Sequence, residues 1–125
     1  MTRLHQDFTV FSGNNRTLRF HAFEPDPDSD DPSAERVLNL TGHDLSWAAK
    51  RTKTMAEGEE LAVEKTTPVG IVITDALNGI CEVRLLPEDT EELEGSYYHE
   101  LESTDGAGMV MTIATGIMTV EPTIA

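Results

Sequence analysis

One cysteine in 125 residues, Cys81, excludes an internal disulfide, and it also excludes the paired CxxC spacing of a zinc ribbon or finger. Cys81 lies in "GICEVRL" among apolar neighbours and reads as a small core residue. Long apolar runs are missing as well. None approaches the about 20 residues of a membrane-spanning helix, so no membrane partner is expected. The opening "MTRLHQDF" has no apolar stretch, and no signal peptide is expected. Aromatic residues make up only 6%, so the core must rest on aliphatics and a handful of rings. Basic residues are scarce: nine against 23 acidic ones give a net charge of −14. Phosphate contacts need clustered Lys and Arg, and only "KRTK" at Lys50 to Lys53 is clustered, so nucleic acid is excluded as the primary partner. The acidity implies solubility and self-repulsion.

What the sequence has in quantity is alternation. "DFTVF" places Phe8 and Val10 on one face, and "RTLRFHAF" does the same with Leu18, Phe20 and Ala22. "SGNNR" between them carries turn residues, so the two strands are expected to form a first hairpin. The segment Glu24 to Arg36, "EPDPDSDDPSAER", has three prolines and many acids and is expected to be an exposed acidic loop. Further on, Leu45, Trp47 and Ala49 alternate inward. Met55 to Glu64 reads either as a short helix or as a loop leading to an edge strand at Leu61 to Lys65. Val69, Ile71 and Ile73 form one face of another strand. Asn78-Gly79 signals a turn, and Cys81, Val83 and Leu85 then point inward. "PEDTEEL" reads as one helical turn near 87–93 with Leu93 as its plug, followed by "SYYHELES" with Tyr97, His99 and Leu101 on one face. "TDGAG" is a turn, and "MVMTIATGIMTV" supplies the last strand or strand pair, with Gly116 as a bulge or kink. The fold expected over 1–125 is a single all-β domain: an antiparallel, immunoglobulin-like β-sandwich of about eight short strands.

The stretch Leu85 to Gly106 concentrates Glu88, Asp89, Glu91, Glu92, Glu94, Glu100, Glu102 and Asp105. Acid–base chemistry needs two carboxylates facing across a cleft. Here the first five fall on the connecting turn, which is expected to be exposed, and Glu100 and Glu102, like Glu82, fall on outward strand positions. No catalytic pair is therefore expected. Asp26, Asp28 and Asp30 alternate as calcium ligands do, but Pro27 and Pro32 stiffen the run and the central glycine is missing, so a solvated loop is preferred. His5, His21, His43 and His99 are scattered outside metal-ligand spacing, and His99 reads as a buried, hydrogen-bonded histidine. Trp47 shares the phase of Leu45 and Ala49 and reads as core. Met109, Met111 and Met118 read as core before they read as a subunit surface. There is no GxSxG and no phosphate-binding glycine loop. The sequons at Asn15 and Asn39 read as chance. No catalytic residue, metal, cofactor or small-molecule substrate is expected.

The order of joints carries a resemblance. "DFTVFSGNNRTLRFHAF", "NLTGHDLSWAAKR", "GIVITDALNGICEVRLLPEDTEELEGSYYHELES" and "VMTIATGIMTVEP" follow one another along most of the chain. This order resembles a family of small immunoglobulin-like β-sandwich modules in tailed-phage structural proteins. It is similar to the N-terminal domain of upper baseplate proteins and to stand-alone tail and neck proteins. In that family an "LTG" segment opens a strand, an "EDT…L…G" segment leads to a "YxYDL" strand, and a "DG" turn precedes the close. His99 stands where the family has Tyr, and Glu100 where it has Asp. The resemblance implies a non-enzymatic virion protein, made in the host bacterial cytoplasm, whose partners are other virion structural proteins and symmetric copies of itself. In that setting Asp26, Asp28, Asp30 and Asp31 are the expected subunit-contact residues. The other reading left open is a free-standing immunoglobulin-like binding domain for carbohydrate or a host surface.

Overall fold

The computed structural model describes residues 4–51 and 61–122. The chain forms β1 (Leu4–His5), β2 (Phe8–Phe11), β3 (Arg16–His21), β4 (Phe23–Pro25), β5 (Glu35–Val37), β6 (Asp44–Lys50), β7 (Val63–Thr66) and β8 (Ile71–Asp75). A 3₁₀ turn (Ala76–Asn78) leads to β9 (Ile80–Leu85), the short helix α1 (Pro87–Thr90), β10 (Gly95–Thr104) and β11 (Val110–Glu121). It is an all-β sandwich. The large sheet runs β1-β11-β10-β6-β7, with β2 also on β11; the small sheet runs β3-β9-β8; β4 and β5 form a separate hairpin. Pairing is antiparallel except where β1 and β2 run parallel to β11.

The alternation explains the layers. In β6, Leu45, Trp47 and Ala49 are buried, and in β10 Tyr97, His99, Leu101 and Ser103 are buried. From the small sheet Leu18, Phe20, Ile71, Cys81 and Val83 face them, so each sheet contributes one apolar face to a single core. In β11 the strict alternation breaks: Ile113 and Ala114 are both buried, because the register with β10 shifts between Leu101 and Glu102. This bulge lets one long strand serve where a strand pair was an open expectation.

Four expectations change. The strands β2 and β3 do not form a hairpin: β2 joins β11 and β3 joins β9, so the "SGNNR" turn crosses from one sheet to the other. Both strands bury one face, and each pairs with a strand distant in the sequence, β11 for β2 and β9 for β3. Residues 24–36 are exposed as expected, but they are an ordered hairpin. Phe23 pairs with Val37 and Pro25 with Glu35, and Asp26 N donates to Ala34 O at 2.9 Å. Val69 is 89% exposed, because the turn before β8 ends only at Gly70 and the inward phase starts at Ile71. Met109 is exposed too, lying on the tip between β10 and β11, whereas Met118 is fully buried. The edge strand expected at 61–65 is β7, and the remainder of the helix-or-loop segment lies outside the described residues.

The connections put many of the acidic residues at opposite ends of the sandwich. Leu38 N donates to Ala22 O, and Ala22 N to Gly79 O, which seats the β4–β5 hairpin beside the 3₁₀ turn, where β9 begins. α1 follows the other end of β9, and Gly13 N donates to Thr90 Oγ1 there at 3.0 Å. Glu24, Asp26, Asp28, Asp30, Asp31 and Glu35 thus gather at one end, and Glu88, Asp89, Glu91, Glu92 and Glu94 at the other.

Candidate functional site

The outer face of the large sheet is read directly from its register. One row runs His5, Thr115, Glu100, Ala48 and Glu64 across five strands. The row above it holds Ile117, Tyr98 and Lys50, and the row below holds Thr112, Glu102 and Ser46. Ala48, with only a methyl group, lies between Glu100 and Glu64 while longer side chains surround it. The result is an open basin of about 650 Å³ whose rim includes Tyr98, Ile117, Lys50 and the three glutamates. Glu100 and Glu102 are two residues apart on one strand and so share a face. Their carboxyls lie close enough to hydrogen-bond, which raises the Glu102 pKa; partial burial and the Glu100 charge push the same way. Thr112 Oγ1 donates to Glu100 at 3.1 Å.

The expectation that outward acids stay apart is therefore corrected for two residues. The spacing Glu100, Glu102 was visible in the sequence, but the small Ala48 between them and Glu64 gained meaning only from the register. Tyr98 shares the outward face of Glu100 and Glu102 by strand phase alone, whereas Lys50 and Glu64 join it only across strands, which no local pattern marks.

The acids of the connecting turn do separate work. Glu88, Glu91 and Glu92 are exposed as expected. Asp89 is not a free surface acid. Its carboxylate accepts from Leu86 N at 2.6 Å and meets Lys65 Nζ at 2.7 Å, with both side chains less than a fifth exposed. Thr90 is fully buried, and Leu93, the expected plug, is only partly so. "EDT" thus ties the helix to the β6–β7 side and to the crossing at Gly13.

The hairpin aspartates mostly serve their own backbone. Asp26 Oδ1 accepts from Asp28 N at 2.9 Å, and Asp31 Oδ1 accepts from Ser33 N and Ser33 Oγ at 2.9 and 2.8 Å. Those two bonds hold the Asp31 pKa below its ordinary value. Arg36 meets Glu24 at 3.1 Å and Asp28 at 3.9 Å. Asp30 is exposed at the tip. Among the described residues no three His, Cys, Asp or Glu side chains converge as metal ligands.

Beneath the basin, His99 is buried against Phe8, Phe20 and Trp47, with ring centroids 5.2, 6.3 and 5.8 Å away. Its neighbours in register are Gly116 and Ala49, two small residues that make room for the ring. It is the buried, hydrogen-bonded histidine read from the sequence. A second contact, His43 Nδ1 to Ser103 Oγ at 2.9 Å, superficially suggests a nucleophile and its base. Ser103 is only 1% exposed, and Asp105 accepts from the backbone of Ala107 and Met109, so the arrangement closes a turn.

No protein-family model matches the chain, and no curated protein matches it. Solved structures that share its general shape include the following two. CopC from Methylosinus trichosporium OB3b is 16% identical, with a TM-score of 0.44 over 100% of this chain and 89% of that one. The ZIG-8–RIG-5 IG1–IG1 heterodimer is 13% identical, with a TM-score of 0.39 over 95% of this chain and 82% of that one. Likeness at this level carries no argument about binding or partners; the assignment to an all-β sandwich rests on the strands and their pairing.

Proposed function

We propose that the chain is a non-enzymatic structural protein of a tailed-phage virion, a tail, neck or baseplate module that adds in symmetric copies to a preformed scaffold. The observation that carries this reading is the order of "LTG", "EDT…L…GSYYHEL" and "DG" joints along the chain. The side chains at those joints have constructional roles: Asn39 holds Thr41 in the "LTG" turn, Asp89 and Thr90 anchor the helix, and Asp105 closes the last turn. Such residues specify a rigid block. A rigid block with two acidic ends and two flatter faces suits assembly by repetition, where every copy presents the same surfaces. In this reading Asp26, Asp28, Asp30 and Asp31 meet a basic surface of a neighbouring virion protein.

Mass spectrometry of purified particles tests the proposal. The chain is expected in stoichiometric amounts, and particles assembled with residues 26–31 deleted are expected to carry fewer copies. Absence from wild-type particles overturns the virion role, and full occupancy by the deletion overturns the hairpin as a contact arm.

The basin on the large sheet favours one other reading, a free-standing binding domain. Tyr98 beside polar side chains is the kind of surface a carbohydrate can stack on. Saturable binding on a glycan array, lost in Tyr98→Ala, would favour that reading over the first.

A further inference from the structure

The two outer faces of the sandwich differ in charge. On the large sheet, three glutamates, Glu64, Glu100 and Glu102, stand against one lysine, Lys50, and the imidazole of His5 lies at the margin. On the small sheet the register places Thr17 beside Arg84, and Arg19 beside Glu82 and Val72. That face has two arginines against Glu82, with Asp75 in the next row beside Ile80. Glu82 is already bonded to Arg84 at 3.3 Å, which leaves the exposed Arg19 with no ion pair among the described residues. In a chain of net charge −14, an unpaired arginine on one face and crowded glutamates on the other are complementary features.

We infer that copies of this chain stack head to tail, the small sheet of one copy lying on the large sheet of the next, with Arg19 seated in the Glu64–Glu100–Glu102 basin. The chemistry of the basin fits a guanidinium. Glu100 and Glu102 crowd each other, and an arriving guanidinium relieves that repulsion and donates to both carboxylates from its planar fork. Tyr98 and Ile117 on the rim cover the aliphatic stem. Both acidic ends lie along the strand direction, outside the sheet-to-sheet contact, so they do not enter the interface itself.

The contact is heterologous: two different faces of the same chain meet, so a bound pair still exposes one of each. Growth then continues beyond two copies until it closes into a ring or extends as a stack. This deepens the virion reading and rests on it, since only an assembly of many copies makes use of such a contact.

Sedimentation equilibrium on the full chain, in about 0.15 M salt to screen the net charge, tests the inference. The weight-average mass is expected to rise with concentration past twice the monomer mass. Arg19→Glu is expected to weaken association roughly tenfold, the size of one desolvated charge pair. Glu102→Arg is expected to do the same, and Glu64→Arg repeats that test at an exposed edge position where folding is not at stake. The decisive variant carries Arg19→Glu and Glu102→Arg in one chain: the charges of that one pair are then reversed but still complementary, and part of the association lost in either single variant is expected to return. A mass that plateaus at the dimer, a chain monomeric up to about 1 mM, an unchanged Arg19→Glu, or a double variant that fails to recover each overturns the stacking contact. Stacking in solution by a chain missing from purified particles would sink the virion reading alone, and a chain present in particles but monomeric at every concentration would sink this inference alone.

Discussion

Trp47 donates its indole N–H to Nδ1 of His99 at 3.2 Å, across the centre of the core. That bond fixes the imidazole tautomer. Nε2 must carry the proton, and it donates to the carbonyl of Gln6 at 2.6 Å. The result links β6, β10 and the N-terminal segment through one ring. A second proton could go only on Nδ1, where it would face the indole N–H donor to donor.

His99 therefore makes stability depend on pH. Burial lowers its pKa from the ordinary value, outweighing the Gln6 carbonyl and the Asp7 charge, which pull upward. The unfolded imidazole titrates near about 6.5 and the folded one lower, so the unfolded chain takes up the proton first. The contribution is fully present above that value and is lost as pH falls below it. Denaturant titrations of wild type and His99→Gln across that window are expected to show a steeper loss in the wild type. Parallel curves would show that His99 does not govern this window.

Removing the donor tests the same bond from the other side. Trp47→Phe keeps a ring but strands Nδ1 in an apolar core and is expected to cost about 1–3 kcal/mol. Trp47→Ala adds a cavity and is expected to cost about 3–5 kcal/mol. Equal losses in the two variants would mean that the hydrogen bond, not the volume, dominates.

Gly116 is set by the same ring. A Cβ there would run into the Gln6 carbonyl and lie 2.7 Å from His99 Nε2, and neither can retreat without breaking the bond between them. Gly116→Ala is expected to cost about 1–3 kcal/mol by overpacking. Gly106→Ala, where a Cβ meets nothing, is expected to shift stability by less than about 0.5 kcal/mol. Thermal melts of the two variants suffice to compare them.

The acidic turn divides into silent and structural residues. Replacing Glu88, Glu91 and Glu92 with Gln is expected to change stability by less than about 0.5 kcal/mol each. Thr90→Val, which leaves the Gly13 N–H without its acceptor, is expected to cost about 1–3 kcal/mol, and Thr90→Ser much less. A Val variant as stable as the Ser variant would show that the hydroxyl contributes nothing.

Cys81 is expected to be chemically silent in the folded chain. Burial, reinforced by the charge of Glu82, pushes its thiol pKa up to about 12. At neutral pH a thiol reagent should modify it only at the rate of unfolding. Immediate stoichiometric labelling of the native chain would contradict its placement in the core.

Strand phase was the most legible part of the fold. Phe20, Trp47, Val83, Tyr97 and Leu101 are core because each keeps a period of two with its neighbours, and that is a local property. Partner choice was not legible in the same way. The turn chemistry of Gly13, Asn14 and Asn15 allows a hairpin and allows a crossing equally, and only the distant β9 and β11 decide between them. The basin suffered the same limit: its carboxylates come from two strands far apart in sequence, and Ala48, the residue that makes the hollow, is inconspicuous alone. Asp89 was misread for a third reason, since its cation, Lys65, lies on a strand 24 positions earlier.

The parallel placement of β1 and β2 along β11 bears on how the block responds to mechanical load. Leu4 lies beside Ala114, and Phe11 beside Glu121, so the first and last strands leave the sandwich in opposite directions. A pull applied at residues 4 and 121 therefore slides the two strands lengthwise past each other. All their bonds are strained together, and none can be peeled open singly while the rest hold. The Asp7 carboxylate on Ile117 N at 2.8 Å and Gln6 N on Thr115 O at 2.9 Å lie within this seam and share the load. A neighbour that grips both ends would load these bonds together rather than one at a time.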